Sequence, residues 1–137
     1  MHTLFSRVLP TACWVLACTP MAWAAPQGNI PAFQSSGAVQ YSCGGIGLDE
    51  STAMRDAMKE FPLSLLFARK DGAYQADLAV EVKGSSGEPA RFTATGPVCL
   101  IRLPAGHYSV TATPSEGAAQ TQAVDIKGGG HTLDFRF

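Results

Sequence analysis

From Leu63 to the end of the chain, apolar and polar residues alternate with a period of two. This is the spacing of strands that bury one face and wet the other. Leu63, Leu65 and Phe67 alternate with Ser64, Leu66 and Ala68, and Leu78, Val80 and Val82 alternate with Ala79, Glu81 and Lys83. Phe92 and Ala94 share a face over 91–95, and Cys99, Ile101 and Leu103 share one against Val98, Leu100 and Arg102. Tyr108, Val110 and Ala112 oppose Ser109, Thr111 and Thr113; Val124 and Ile126 point inward over 119–127; Leu133, Phe135 and Phe137 finish the pattern. Lys70-Asp71-Gly72, residues 85–89, Gly96-Pro97, Pro104-Ala105-Gly106, residues 114–117 and Gly128-Gly129-Gly130 supply the turns. About seven strands at roughly 8–12-residue spacing predict a mainly β chain, a seven-stranded antiparallel β-sandwich.

One stretch keeps helical spacing. Ala53, Met54, Ala57, Met58 and Phe61 fall on one face, with Arg55, Asp56 and Glu60 elsewhere. Asp49 is placed to cap the N-terminus, Glu50 favours the positive helix end, Lys59 the negative end, and Pro62 stops the run. The expectation is one short N-terminal α-helix. Before it, residues 25–40 contain Pro, Gly and Ser without periodicity and read as a flexible lead-in. Cys43 to Gly47 reads as a turn-rich hinge, and the folded domain is expected over 41–137.

Residues 1–24 have the three parts of a secretory leader: a weakly basic start (His2, Arg7), an apolar run from Val8 to Ala17, and Ala22-Trp23-Ala24 as the small-residue cleavage site. Cleavage between Ala24 and Ala25 is expected, with the product in the periplasm. The apolar run is too short for a stable membrane span. A competing reading takes Val15-Leu16-Ala17-Cys18 as a lipoprotein signal, which would put a lipid anchor on Cys18 and tether the product to a membrane. Of the 4 cysteines, removal of the leader leaves Cys43 and Cys99. In an exported chain two cysteines are expected to form one disulfide, the alternative being two separate thiols.

The chain carries 10 Lys and Arg against 11 Asp and Glu, a net charge of −1. Nothing basic and clustered points to nucleic acid. Trp14 and Trp23 both lie in the leader, so the domain has no tryptophan for a flat sugar-stacking face.

Leu103-Pro104-Ala105-Gly106-His107-Tyr108-Ser109-Val110-Thr111-Ala112 resembles the L-P-x-G-x-Y-x-V-x-A signature of transthyretin-like, prealbumin-type sandwiches, shared by bacterial carboxypeptidase regulatory-like domains. Gly44-Gly45-Ile46-Gly47-Leu48-Asp49-Glu50 and the strand region from Phe67 to Val82 also look like small exported proteobacterial proteins of that type. The resemblance implies a transthyretin-like sandwich over about 41–137 and no particular activity, since one such fold hosts many roles. Hydroxyisourate hydrolases of related fold end in Tyr-Arg-Gly-Ser and use an early histidine, whereas this chain ends Asp134-Phe135-Arg136-Phe137 and the histidines of its domain, His107 and His131, come late. Collagen-binding-B-type modules use a Lys–Asn crosslink; the single asparagine here is Asn29, in the lead-in.

Candidate chemistry is sparse. His107 and His131 stand beside turns, where they would be exposed, or ligands and proton carriers if one rim gathered them. Asp49, Glu50 and Asp56 read as helix-dipole partners rather than paired catalytic carboxylates. Gly44-Gly45-Ile46-Gly47 before a helix could cradle an anion but follows no βαβ pattern. Ser35-Ser36 and Ser85-Ser86 have no partnered base. No catalytic residue, cofactor or metal site is assigned. The sequence therefore points to a non-enzymatic exported binding or interaction module, engaged at its turn-rich rims or by strand addition at an open sheet edge. The alternatives are a small envelope hydrolase built on His107, His131 and Arg136, or a lipid-tethered envelope component.

Overall fold

The computed structural model describes residues 30–85 and 87–137. The leader expected over 1–24, with the expected Ala24–Ala25 cut and Cys18, lies outside the described residues, as does Ser86. The elements run β1 (Gln34–Ser36), β2 (Val39–Gly44), α1 (Leu48–Ala57), a single 3-10 turn (Met58–Glu60), β3 (Leu63–Ala68), β4 (Leu78–Gly84) and β5 (Ala90–Ala94). They continue with β6 (Val98–Arg102), β7 (Gly106–Thr113), β8 (Gln120–Ile126) and β9 (His131–Arg136). Five strands form one sheet in the order β1-β2-β6-β3-β9 and four form the other in the order β5-β4-β7-β8. The chain is mainly β, with two sheets and one short helix. Pairing is antiparallel except between β3 and β9, which run parallel.

All seven strands read from the alternation are present as β3 to β9. The count is nine, because β1 and β2 lie where a lead-in and a hinge were expected. Val39 and Cys43 are buried and Tyr41 half-buried, so β2 does alternate. The run is short, however, and bracketed by Gly37 and Gly44-Gly45. Its outward Ser42 is itself buried, donating to the Pro31 carbonyl at 2.7 Å. The lead-in reading is thus corrected from Gln34 onward, and even Ile30 and Phe33 pack against the body.

The inward faces of the two sheets share one core. Leu63, Leu65, Phe67, Ile101 and Phe135 come from one sheet and Leu78, Val80, Val82, Val110 and Ala112 from the other. Helix α1 covers the outside of the five-stranded sheet, setting Met54 and Ala57, with Phe61 beyond the 3-10 turn, against Val98 and Leu100. That second layer explains why β6 reads Val-Cys-Leu-Ile with no polar partner face: its strand is buried on both sides. Burial of a side chain such as Leu100 contributes about 1.5–3 kcal/mol. Arg102 lies over the rings of Phe33 and Phe61, at 4.4 and 5.0 Å, and pins the entering segment on this face.

The helix begins differently from expectation. Gly47 is the N-cap, at φ 87°, and no side chain caps the helix there. Asp49 sits inside the first turn, where it faces the positive helix end without capping. Glu50 reaches back instead, its Oε1 accepting the Gly45 N–H at 2.8 Å, two residues before the cap. Pro62 follows the 3-10 turn, and Phe61 before it is extended at φ −105°, ψ 145°.

Cys43 and Cys99 stand directly opposite in the β2–β6 register, Cα to Cα 4.1 Å, with their sulfurs at bonding distance. Cys99 is fully buried and Cys43 nearly so. The bridge therefore ties β2 to the sheet from inside the shared core.

Candidate functional site: a cleft at one rim

The strand directions bring the β1–β2 turn, the β4–β5 loop and the β6–β7 turn to one end of the molecule. The Leu103–Ala112 signature builds one wall there. Gly106 takes φ 154°, a region side chains avoid, and a Cβ at that position would meet the Tyr108 ring at 3.6 Å. Two residues on, the Tyr108 hydroxyl donates to the Pro104 carbonyl at 2.7 Å. The signature tyrosine thus ties its own turn, as a tyrosine corner does, while its ring packs on the core. Sequence reasoning assigned Tyr108 to the core and missed this bond.

Behind that wall lies a cleft of about 290 Å³. Its floor is closed by the buried Val39, Val82 and Ala90, each no more than 5% exposed, and its accessible apolar walls are Ala38, Pro104, Ala105 and Tyr108. Its lip carries Ser85, Glu88 and His107. Nothing in the alternation pattern marked Glu88, which lies in a turn before Pro89.

His107 and Asp125 are cross-strand neighbours in the β7–β8 register, and His107 Nδ1 meets Asp125 Oδ1. Both side chains are largely exposed. Beyond them on the same outer face, Thr111 and Thr121 share a hydroxyl bond at 2.8 Å. His131 opens β9 opposite Leu63, its backbone N–H donating to Pro62 at 3.1 Å. Its Nε2 is buried without a hydrogen-bond partner among the described residues. Arg136 lies at the other end of β9, opposite Ala68. Five residues of strand separate it from His131, roughly 17 Å at about 3.3 Å per residue. There Arg136 is engaged by Asp134 through Nε and Nη2 at 2.9 and 3.0 Å, and the Asp134 hydrogen bond and charge raise its already high pKa. His107, His131 and Arg136 therefore do not converge, and the geometry on which the hydrolase alternative depended is absent.

The remaining candidates have structural partners. The Gly45 N–H, which an anion at the glycine loop would have needed, is taken by Glu50. Asp49 and Asp56 stay exposed on the helix. Ser36, expected as an idle loop serine, accepts the Arg91 N–H and donates to the Arg91 carbonyl, both at 3.1 Å. Beside it Tyr41 stacks on Phe92 with ring centroids 4.0 Å apart, so β1 and β2 are stitched to β5. At the opposite seam Gln122 donates to the Asp134 carbonyl at 2.8 Å and Gln120 to that of Arg136. Two outward carbonyls of edge strand β9, those of Asp134 and Arg136, are thus occupied by side chains of β8. These contacts blunt the edges that strand addition would use. A legible clue existed: Gln120 and Gln122 fall on the same strand face as Val124 and Ile126, where apolar residues belong.

Among the described residues no group of three or more His, Cys, Asp or Glu converges as a metal site, and no helix is long and apolar enough to cross a membrane. No family model, curated protein or solved structure matches the chain.

Proposed function

We propose that this chain is an exported, non-enzymatic binding module of the periplasm or cell envelope whose partner engages the rim cleft. One observation carries the reading: the cleft offers an apolar floor and a polar lip at a rim, while side chains occupy both lateral seams. Concave sites with an apolar floor and few polar groups are the usual geometry of ligand recognition. The leader-like 1–24 and the Cys43–Cys99 bridge support an oxidising compartment. The Leu103–Ala112 signature, and two sheets closing over one core, support a fold of the transthyretin-like, carboxypeptidase regulatory-like type.

Site-specific photo-crosslinking in the native envelope tests the role. A benzophenone side chain at Ala105, on the rim, should give a discrete adduct, and one at Ala119, between β7 and β8, should not. Equal adducts from both positions, or none from Ala105, would remove the rim as the engaging surface. Intact mass of the same material tests the leader. A start at Ala25 supports a soluble exported form, and an acylated Cys18 replaces it with the tethered one.

A further inference from the structure

The rim cleft has a charge asymmetry that narrows what it can hold. Glu88 is the one carboxylate among the described residues that line it, and none of them is a lysine or arginine. Among the described residues Glu88 takes part in no ion pair; the four pairs present join Arg69 to Asp71, Arg91 to Glu81, His107 to Asp125 and Arg136 to Asp134. His107, across the lip, already has Asp125 at Nδ1. The lip therefore presents a negative charge, together with Ser85, above a floor of Val39, Val82 and Ala90. At about 290 Å³ the space suits a short chain of a few carbons, near the lower end of small-molecule pockets. One wall is set in advance by the Tyr108–Pro104 hydrogen bond, which reduces the ordering cost of binding.

From this juxtaposition we infer that the cleft binds a primary ammonium carried on a short aliphatic chain. The aliphatic part lies against Ala38, Pro104, Ala105 and Tyr108, the accessible apolar walls above the buried floor, and the ammonium donates to the Glu88 carboxylate at the lip. The inference rests on the binding-module reading and adds a ligand class to it. Two sources share this chemistry, a free alkylamine and the lysine side chain of a partner protein. An ammonium–carboxylate bond is stronger than a neutral one, and the apolar walls supply area that a carboxylate-bearing analogue would reach only by setting like charges together.

Amide chemical-shift titration of the oxidised protein tests the inference, with n-butylammonium, Nα-acetyl-lysine amide, n-butanol and butyrate as probes. Both ammonium probes should shift the amides of Val39, Val82, Ala90 and Gly106 along one saturable curve. Butanol should bind at least tenfold more weakly, as expected for loss of a charge-assisted bond, and butyrate should not bind. Glu88→Gln, an exposed change, should weaken both ammonium probes about tenfold or more, and Glu88→Asp should recover part of the loss. Saturation by acetyl-lysine amide but not butylammonium would identify a peptide lysine as the source; the reverse would identify a free amine. Butyrate binding equal to butylammonium, an unchanged Glu88→Gln response, or shifts confined to another surface would overturn the ammonium cleft. A rim crosslink that persists in Glu88→Gln alongside any of those results would leave the binding module standing without it.

Discussion

Breaking the Cys43–Cys99 bridge tests the architecture most directly. The two cysteines are 56 residues apart in sequence, so the bond closes a long loop in the unfolded chain. On the chain-entropy account a loop of that length contributes about 4 kcal/mol. For a domain of this size each kcal/mol moves the melting temperature by roughly 4–8 °C, so reduction should lower it by about 15–30 °C. The loss should also be uneven. Strand β2 is held by β1 on one side and β6 on the other, and the sulfurs cross the β2–β6 ladder. Reduction should therefore release amide protection first in β1, β2 and residues 30–33, while β3, β4 and β7 keep theirs until global unfolding. Calorimetry of oxidised and reduced protein, with hydrogen exchange on both, reads the two effects. Two titratable thiols in native oxidised protein, or a melting shift under 5 °C, would refute the reasoning.

Other substitutions separate the fold's parts. Gln120→Ala with Gln122→Ala removes two bonds worth roughly 1–3 kcal/mol together and uncovers the β9 carbonyls; sedimentation velocity should show more self-association than in the parent protein. Tyr108→Phe keeps the ring and loses the bond to Pro104, and should cost about 1 kcal/mol by denaturant melts, with exchange rising at residues 104–107. Met54→Ala opens a hole against Val98 and Leu100 and should cost about 2–5 kcal/mol in the same assay. Gly96→Ala points a methyl into the Gly44 backbone, 2.6 Å from its Cα, and should destabilise by about 1–3 kcal/mol or more.

How much of this was legible follows from which interactions leave a period behind. Strands β3 to β9 bury one face against a shared core, and burial repeated every second residue is visible in any alternation of Leu, Val and Phe with polar residues. The helix was visible for the same reason at 3.6 residues per turn, though its start was misplaced. An aspartate near a helix start looks like a cap, yet Gly47 holds the cap position and Glu50 supplies the carboxylate. β1 and β2 were harder to read: β1 is three residues long and held by Ser36 to Arg91, and in β2 the alternation of Val39, Tyr41 and Cys43 is cut short by Gly44-Gly45 and blurred by the buried Ser42.

The same distinction governs the candidate site. His107, His131 and Arg136 drew attention as residue types, but His131 and Arg136 stand at opposite ends of the single strand β9, a separation that the strand reading of that segment already implied. Glu88 and the apolar floor beneath it are joined only through the third dimension, since Val39, Val82 and Ala90 come from three different strands. Alternation told which side chains point inward. It did not tell where two sheets part at their ends, and in this chain that parting is what creates the cleft. Alternation alone left both the turn-rich rims and an open strand edge available to a partner; the seam bonds of Gln120, Gln122 and Ser36 weigh against the edge.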